Sequence, residues 1–375
     1  MKWLLLICLF ACCGTVVNAQ DFNNYAYIDS KALRIPEAET YSTSSIANYI
    51  QGNFNTDKEK LRAIYTWITA NIRYNKDSMY YRFWGEDPER KLSSVLKTRK
   101  GVCENFASLL TRIASKCGIQ TYMVSGYTKM SGSVNWRGHS WCAVYIGKEW
   151  LLCDPTWDAG YSATTHYFLV LPSQFIETHM PFDPLWQLQE YPINNKEFRQ
   201  GFTRSKKDVP VFNYVDSVNN YLQSDTLQQM QSISRRMKQS GLDNEDLRTW
   251  YAYNEMKIFI VYQEKDMNVF NSAVADLNKA KALFNEFIQF RNNHFQPAKT
   301  DAAISTLFDS VENRLASAFK KMDDIGTKVE NFQYDTDGLK NNLDALFVRV
   351  KEQQFFLKRY FASSLAEREK LLYQQ

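Results

Sequence analysis

The fold of this chain is decided by GVCENFASLLTRIASKCG (101–118) and GHSWCAVYIGKEWLLCDPTWD (138–158). In the first segment, apolar side chains recur at helical spacing after Cys103, and Gly118 follows at the position of a helix C-terminal cap. The pattern predicts an amphipathic helix whose first turn carries Cys103. There, unpaired backbone N–H groups and the positive end of the helix dipole favour a thiolate, the nucleophilic form of cysteine.

The second segment predicts a β-hairpin that brings a histidine close to an aspartate. Its two apolar runs are joined by Gly147 and Lys148, a pair that suits a two-residue hairpin turn. Because side chains alternate between the faces of a strand, His139 and Asp154 then lie on one face as diagonal neighbours, within reach of a hydrogen bond. Together with the helix-borne cysteine, they match the nucleophile, base and orienter of covalent acyl transfer.

These residues resemble the transglutaminase-like superfamily, whose blocks GVCxxxA, GHxW and DPTWD are all present. The resemblance extends upstream through DKEKLRAIYTWITANIRYN (57–75). Downstream it extends through HYFLVLPSQFIETHMPFDPLWQLQ (166–189), which is similar to the kyphoscoliosis-peptidase branch. It covers roughly residues 40–200. The resemblance implies an α+β fold with a papain-like core, in which a cysteine-bearing helix packs on an antiparallel sheet.

The resemblance also implies which residues carry the chemistry. Cys103 would be the nucleophile, His139 the base and Asp154 the group that orients the histidine. His166 and His179 match the pattern of the branch, and we expect both to be structural. We expect no cofactor and no metal ligands, since the chain has no CxxC pair. The acidic residues are too dispersed to specify a calcium loop, and the sequence leaves a need for calcium open.

The flanking sequence predicts supporting elements. Residues 56–59 (TDKE) form a capping-box pattern that opens a helix. Residues 75–100 are charged and aromatic, and we expect a loop lining the cleft. This loop contains Trp84, a candidate for the side-chain oxyanion donor that the family places upstream of the cysteine. Tyr167–Val170 is predicted to add another strand to the sheet.

Cys142 and Cys153 face each other in the predicted hairpin, on the side opposite His139. They are either bonded as a disulfide or buried as two free thiols, and the sequence leaves both possibilities open. A zinc site that combines them with Cys103 and His139 is disfavoured, because His139 and Cys142 point to opposite faces of the sheet.

The chain is long enough for two domains. We expect a signal peptide at residues 1–19, a transglutaminase-like domain at 20–200 and an all-helical bundle at 201–375. The last region has few glycines or prolines and keeps a 3.6-residue periodicity, with breaks at positions that include Gly241 and Pro297. Its apolar stripes predict a bundle core.

The N-terminal sequence MKWLLLICLFACCGTVVNAQ has a basic residue, an apolar stretch and a small-residue cleavage signal at Val17-Asn18-Ala19. It predicts export, to the periplasm or the medium. A lipoprotein anchored at Cys12 is the weaker alternative, because Phe10 fits a lipobox poorly.

The composition narrows the class of partner. The net charge is +4, from 45 basic and 41 acidic residues, and no run of lysine and arginine stands out, so nucleic acid is not expected. Beyond the leader, no segment is long and apolar enough to span a bilayer. We therefore expect a protein or peptide substrate, with association with the cell envelope as an open possibility.

Two functions remain. The first is an exported cysteine-dependent acyl-transfer enzyme, a peptidase, an amidase or a protein-glutamine transglutaminase, with hydrolysis favoured because water is the default acceptor. The second is a non-catalytic scaffold of the cell envelope that retains the fold. The complete Cys103, His139 and Asp154 set favours the enzyme.

Overall fold

The computed structural model describes five stretches of the chain, which are residues 25–77, 87–159, 165–201, 210–326 and 335–373. The expected signal peptide, the alternative anchor at Cys12 and Trp84 lie outside these stretches. Contacts divide the chain into two compact units, Met1–Asn254 and Glu255–Gln375. The first unit contains both segments that predicted the site.

The helices of the described residues up to Lys116 build the support for Cys103. They are α1 (Ala26–Ala32), α2 (Thr43–Asn53), α3 (Asp57–Asn71), α4 (Pro88–Thr98) and α5 (Cys103–Lys116), with a 3-10 turn at Glu37–Thr40. The predicted capping box opens α3, because Thr56 and Glu59 each accept a hydrogen bond from the other's backbone N–H. Part of the loop expected at 75–100 is instead α4, since Asp87 caps its N-terminus and Pro88 occupies its first position.

The described strands form two small sheets. One is parallel and consists of β1 (Arg73–Tyr74) and β2 (Lys100–Gly101). The other is antiparallel with the order β5-β4-β3-β6, and its strands are β3 (Gln120–Met130), β4 (Ser133–Ile146), β5 (Glu149–Cys153) and β6 (His179–Pro181).

The predicted β4-β5 hairpin and its register are confirmed. Cys142 pairs with Cys153, and the turn residues Gly147 and Lys148 have positive φ angles of 60° and 70°. Two such residues give the turn whose twist matches that of the flanking strands. Directly opposed Cα atoms in an antiparallel pair lie about 4.5–5.5 Å apart, within disulfide range, yet both thiols are free and buried.

The strand expected at Tyr167–Val170 is wrong. Val170 forms a single antiparallel bridge to Leu152, and Leu169 has a left-handed φ of 53°, which interrupts an extended chain. The sheet is completed instead by β3, which lies between the two segments that predicted the site, and by the short edge strand β6.

The antiparallel sheet has two apolar faces. One face is covered by α5 and buries Cys142 and Cys153. The other buries Trp141 against Phe175 and Val218. The site lies where the first turn of α5 approaches the end of the hairpin strands.

The remaining helices that lie wholly within the first unit are α6 (Pro155–Ala159), α7 (Pro172–Phe175), α8 (Asn195–Gln200), α9 (Tyr214–Gln223) and α10 (Thr226–Ser240), with a 3-10 turn at Pro184–Gln187. Both α9 and α10 follow the boundary expected at residue 200. They belong to the first unit because Val218 and Met237 are buried in its cores. Arg236 also donates hydrogen bonds of 2.7 and 2.6 Å to the carboxylate of Asp183.

The described residues of the second unit form helices joined by short connections. Its helices are the greater part of α11 (Glu245–Asn292), then α12 (Asp301–Asp323), α13 (Thr336–Ala362) and α14 (Leu365–Tyr373). The predicted stripes meet in one core that includes Phe284, Phe287, Phe308 and Leu343. Within the described stretches, every helix falls short of the length or apolarity that crossing a membrane requires.

Candidate active site

Cys103 is the first residue of α5 and is partly exposed. The preceding residue, Val102, has an extended backbone, and its N–H donates a 2.8 Å hydrogen bond to Oδ1 of Asn105. Gly101 is required here, because a Cβ atom at that position would lie 2.8 Å from the Cβ of Asn105. This tight entry fixes the sulfur at the positive end of the helix dipole.

His139 and Asp154 meet as the hairpin register predicts. His139 belongs to β4, Asp154 directly follows β5, and Nε2 of His139 lies 2.6 Å from Oδ2 of Asp154. The Asp154 side chain is fully buried, whereas the His139 side chain is 11% exposed. The imidazole therefore stands between a buried carboxylate and the open side of the site.

The Asp154 carboxylate is held by hydrogen bonds at both oxygens. Oδ1 accepts from the backbone N–H groups of Thr156 (2.8 Å) and Trp157 (3.2 Å), at the start of α6. Oδ2 lies 2.6 Å from His139 and 3.1 Å from Nε2 of a second histidine, His179. All four contacts come from donors, as a buried ionised carboxylate requires.

His179 is the residue at the site that sequence reasoning treated as structural. It opens the edge strand β6, is fully buried in its side chain, and has its Nδ1 2.8 Å from the hydroxyl of Thr178. The available signal was the match of His179 to the pattern of the branch. The pairing of β6 with β3 brings it to Asp154, and the local sequence does not report that pairing. His166, the other histidine of that pattern, donates its backbone N–H to Asp158.

The pKa values of Asp154, His139 and His179 are all shifted from their ordinary values, those of Asp154 and His179 downward and that of His139 upward. For Asp154, burial alone would raise the pKa, but the charge and hydrogen bond of His139, followed by His179, hold it well below its ordinary value. For His139, burial alone would lower the pKa, but the charge and hydrogen bond of Asp154, followed by Cys103, raise it to about 10. For His179, burial lowers the pKa to about 4. At neutral pH, Asp154 is ionised, His139 is cationic and His179 is neutral.

These charge states determine which ring nitrogens of His139 and His179 carry protons. An ionised carboxylate only accepts hydrogen bonds, so both imidazoles donate to Asp154 from Nε2. Neutral His179 then has a bare Nδ1, which accepts from the hydroxyl of Thr178. In His139, Nδ1 is the ring nitrogen left to interact with Cys103, whose hydrogen bond contributes to the raised pKa.

Aromatic side chains line the site. The ring centroid of His139 lies 6.0 Å from that of Trp157 and 6.1 Å from that of Trp141. Tyr74 is 40% exposed beside the site, and its pKa is raised by burial and by the charge of Cys103. Trp67, by contrast, is 2% exposed and belongs to the core.

The described residues do not favour a metal centre at this site. His139, Asp154 and His179 place one potential ligand atom each within 4.8 Å of one another. The separations of 2.6 and 3.1 Å between their nitrogens and Oδ2 are those of hydrogen bonds. Cys142 lies elsewhere, 3.5 Å from the carbonyl oxygen of Ala107 on the α5 face of the sheet.

A cavity of about 670 Å³ lies in the first unit, away from these residues. It is lined by residues that include Tyr25, Arg62, Glu149 and Phe168. Arg62 is already bonded to both carboxylate oxygens of Asp29. Cys103, His139 and Asp154 are not among the residues that line this cavity.

Comparisons with known proteins agree with the geometry. Residues 44–155 match the model of the transglutaminase-like superfamily. The chain is 32% identical over 163 residues to kyphoscoliosis peptidase from Mus musculus, covering 38% of this chain and 24% of that protein. It is 26% identical over 208 residues to hillarin from Drosophila melanogaster, covering 48% and 25%.

A crystal structure of a TGase aligns with 40% of this chain and 40% of that one, at 17% identity and a TM-score of 0.25. The chain spans about a quarter of the length of the curated relatives named above. The matched residues 44–155 include all three side chains that the sequence selected. The chain thus contains, at residues 44–155, a domain of the transglutaminase-like superfamily, similar to that of the kyphoscoliosis peptidases.

Proposed function

We propose that this protein is a cysteine-dependent acyl-transfer enzyme acting on peptide or glutamine side-chain amides. The observation that carries the proposal is the 2.6 Å hydrogen bond between His139 and the buried Asp154, next to a cysteine at a helix N-terminus. A thiol, an imidazole and a carboxylate in this order supply a nucleophile, a proton carrier and its orienter.

In the first half of the reaction, the Cys103 thiolate adds to the amide carbonyl carbon. The charge moves to the carbonyl oxygen, where backbone N–H groups of the first turn of α5 are placed to stabilise it. His139 then gives its Nδ1 proton to the departing nitrogen as the C–N bond breaks. The products are an amine and a thioester on Cys103, while Asp154 keeps the imidazole ring in place.

In the second half, an acceptor attacks the thioester carbonyl and His139 removes its proton. Collapse of the intermediate breaks the C–S bond and regenerates the thiolate. Water as the acceptor gives hydrolysis, whereas a primary amine gives crosslinking. We propose hydrolysis, because water is the default acceptor and kyphoscoliosis peptidase, one of the similar relatives, is named a peptidase.

We also propose that the protein is exported, to the periplasm or the medium, and acts on protein or peptide substrates there. The leader at residues 1–19 supports export through its basic start, apolar run and small-residue cleavage signal. Lipid attachment at Cys12 is the less favoured form of the same proposal. Detection of a mature chain that begins at Gln20 would test it.

The enzyme is tested by labelling with a peptide vinyl sulfone, which captures a nucleophilic thiol, and by amide turnover. We expect Cys103→Ala to abolish both and His139→Ala to cost nearly as much, since such residues act as a unit. Asp154→Asn should reduce labelling less than turnover, because an amide holds imidazolium poorly. The matched control is Cys117→Ala, which removes a buried thiol of the same helix region and should label like the wild type.

The alternative is the non-catalytic scaffold of the cell envelope. It would be supported if the wild type labels no faster than a free cysteine peptide. It would also be supported if labelling is insensitive to His139→Ala.

A further inference from the structure

We propose that His179 is a positioning residue of this enzyme: it holds the Asp154 carboxylate so that its Oδ2 faces His139. The inference rests on the proposed function. It assigns to a buried histidine outside the Cys103, His139 and Asp154 set a defined effect on turnover.

The first argument is the hydrogen-bond geometry of the carboxylate. Oδ1 is fixed by two backbone donors at the start of α6, whereas Oδ2 is contacted by the side chains of His139 and His179. His139 is the ring that Asp154 orients, so a donor other than His139 is needed to fix Oδ2 independently of that ring. His179 is the second donor to the same atom, at 3.1 Å.

The second argument is that His179 is itself held in one orientation. An ionised Asp154 carboxylate only accepts hydrogen bonds, so Nε2 carries the proton, and the bare Nδ1 lies 2.8 Å from the Thr178 hydroxyl, which can donate to it. Its ring is enclosed by the aromatic rings of Phe175, Trp157, Trp141 and Tyr167, at centroid distances of 4.0, 4.5, 5.1 and 5.4 Å. The contact with Asp154 therefore sets the tautomer, and the rings set the plane.

The third argument is electrostatic. The titratable groups around His179 are Asp154, His139 and Tyr167. Burial and the nearby His139 charge keep His179 neutral, so it contributes a hydrogen bond without adding a second positive charge. A cationic residue at this position would compete with His139 for the carboxylate.

Removal of this donor leaves a fully buried Oδ2 with one donor fewer, so the orientation of the carboxylate is held less firmly. Loss of a comparable outer hydrogen bond at a metal site reduces activity by about 10- to 100-fold, and we expect a loss of the same order here. The substrate is not touched by His179, so we expect the loss in kcat with KM unchanged.

The test uses three variants of the full chain. His179→Phe keeps the ring volume but removes the donor, and we expect kcat to fall about 10- to 100-fold. His179→Gln can place an amide N–H near the position of Nε2, and we expect it to recover part of the loss. The control His166→Phe changes the other histidine of the same region and should retain wild-type kcat. Unfolding midpoints are measured for all three, so that loss of fold is separated from loss of positioning.

A spectroscopic measurement on the wild type is independent of catalysis. Nitrogen-15 NMR of labelled histidines should show His179 as the neutral Nε2–H tautomer between about pH 6 and 8. The signal of His179 is assigned by its loss in the His179→Phe variant. An Nδ1–H tautomer would overturn the proposal, because Nε2 could not then donate to Asp154.

The values of kcat for the variants test whether His179 positions Asp154. A folded His179→Phe variant with wild-type kcat, or a Gln variant as impaired as Phe, overturns the positioning role. If the wild type turns over no amide, the proposed function fails. In that case the role of His179 is tested without turnover, by the tautomer of His179 and by the rate at which Cys103 is alkylated in these variants.

Discussion

At the scale of single residues, one buried carboxylate divides two histidines into different charge states. His139 is partly exposed and carries the proton that the proposed acyl transfer needs, with its pKa raised to about 10. His179 is fully buried and neutral, with its pKa lowered to about 4. The difference follows from burial and from the approach to Asp154, which is closer for His139 by 0.5 Å (3.1 minus 2.6 Å).

This charge distribution predicts how pH affects the proposed reaction and the stability of the fold. We expect turnover to fall as pH rises through about 10, because His139 then loses the proton that the leaving amine requires. The pKa of His139 is higher in the folded state than its ordinary 6.5, so its contribution to stability is fully present below pH 6.5 and is lost as pH rises through about 10. The measurements are kcat and the free energy of unfolding across this range.

The matched variant for the pH prediction is His139→Gln, which should lose this part of the alkaline decline in stability. The contribution of Asp154 to stability depends on pH in the opposite direction. Its pKa is lowered, so its contribution is present above its ordinary value of 3.8 and is lost as pH falls through the folded value. A His139 NMR titration in the wild type near pH 6.5 would contradict the prediction.

At the scale of secondary structure, the sequence predicted the elements whose signals are local. The periodicity after Cys103 and the Gly147-Lys148 turn predicted α5 and the β4-β5 register, and these bring Cys103, His139 and Asp154 together. The position of a side chain on a hairpin follows from turn length alone, so a single turn determined the pairing of His139 with Asp154.

The parts that sequence reasoning missed depend on pairing between distant segments. The residues of β3 mix polar and apolar side chains and become a strand by pairing with β4 and β6. His179 lies 25 residues from Asp154 and reaches it through the register in which Thr128 pairs with His179. Such a register leaves no periodic signal in a strand of three residues.

The contact between β3 and β6 gives a prediction at this scale. A Cβ atom at Gly126 would lie 2.1 Å from the carbonyl oxygen of Met180 and 2.5 Å from the ring of Trp141. Gly126→Ala must therefore push β6 away, and with it His179. We expect a loss of stability of about 1–3 kcal/mol, together with reduced kcat.

Gly52→Ala is the control for this substitution. Gly52 lies in α2 with nothing within 4 Å of its Cβ position, and alanine favours helix. Its stability should equal or slightly exceed that of the wild type, with unchanged kcat. Chemical denaturation and steady-state kinetics measure both variants, and a Gly126→Ala protein as stable and active as Gly52→Ala would refute the role of close β3-β6 packing.

At the scale of the whole molecule, the first compact unit is longer than the family resemblance. The family match ends at residue 155, and the resemblance noted in the sequence ends near residue 200, but the compact unit extends to Asn254. Val218 packs on the sheet with Trp141, and Met237 and Leu247 are buried with β6 neighbours such as Phe182. The helices after residue 200 therefore complete the face of the sheet that carries His179.

This organisation predicts the shortest chain that keeps the site. A chain of residues 20–254 should unfold cooperatively and keep vinyl sulfone labelling at Cys103, since it contains the whole first unit. A chain of residues 20–200 loses Val218, Met237 and Leu247, each worth about 1.5–3 kcal/mol of burial. It also loses Arg236, the cation paired with the buried Asp183 carboxylate. Those losses approach the whole stability of a domain, about 5–15 kcal/mol, so we expect the shorter chain to lose cooperative unfolding and labelling together.

Thermal unfolding and vinyl sulfone labelling of the two chains, measured side by side, test this prediction. A folded, labelling-competent chain ending at Gln200 would show that the helices beyond it are dispensable to the site, whereas a folded chain ending at Asn254 that fails to label would show that the second unit contributes to it.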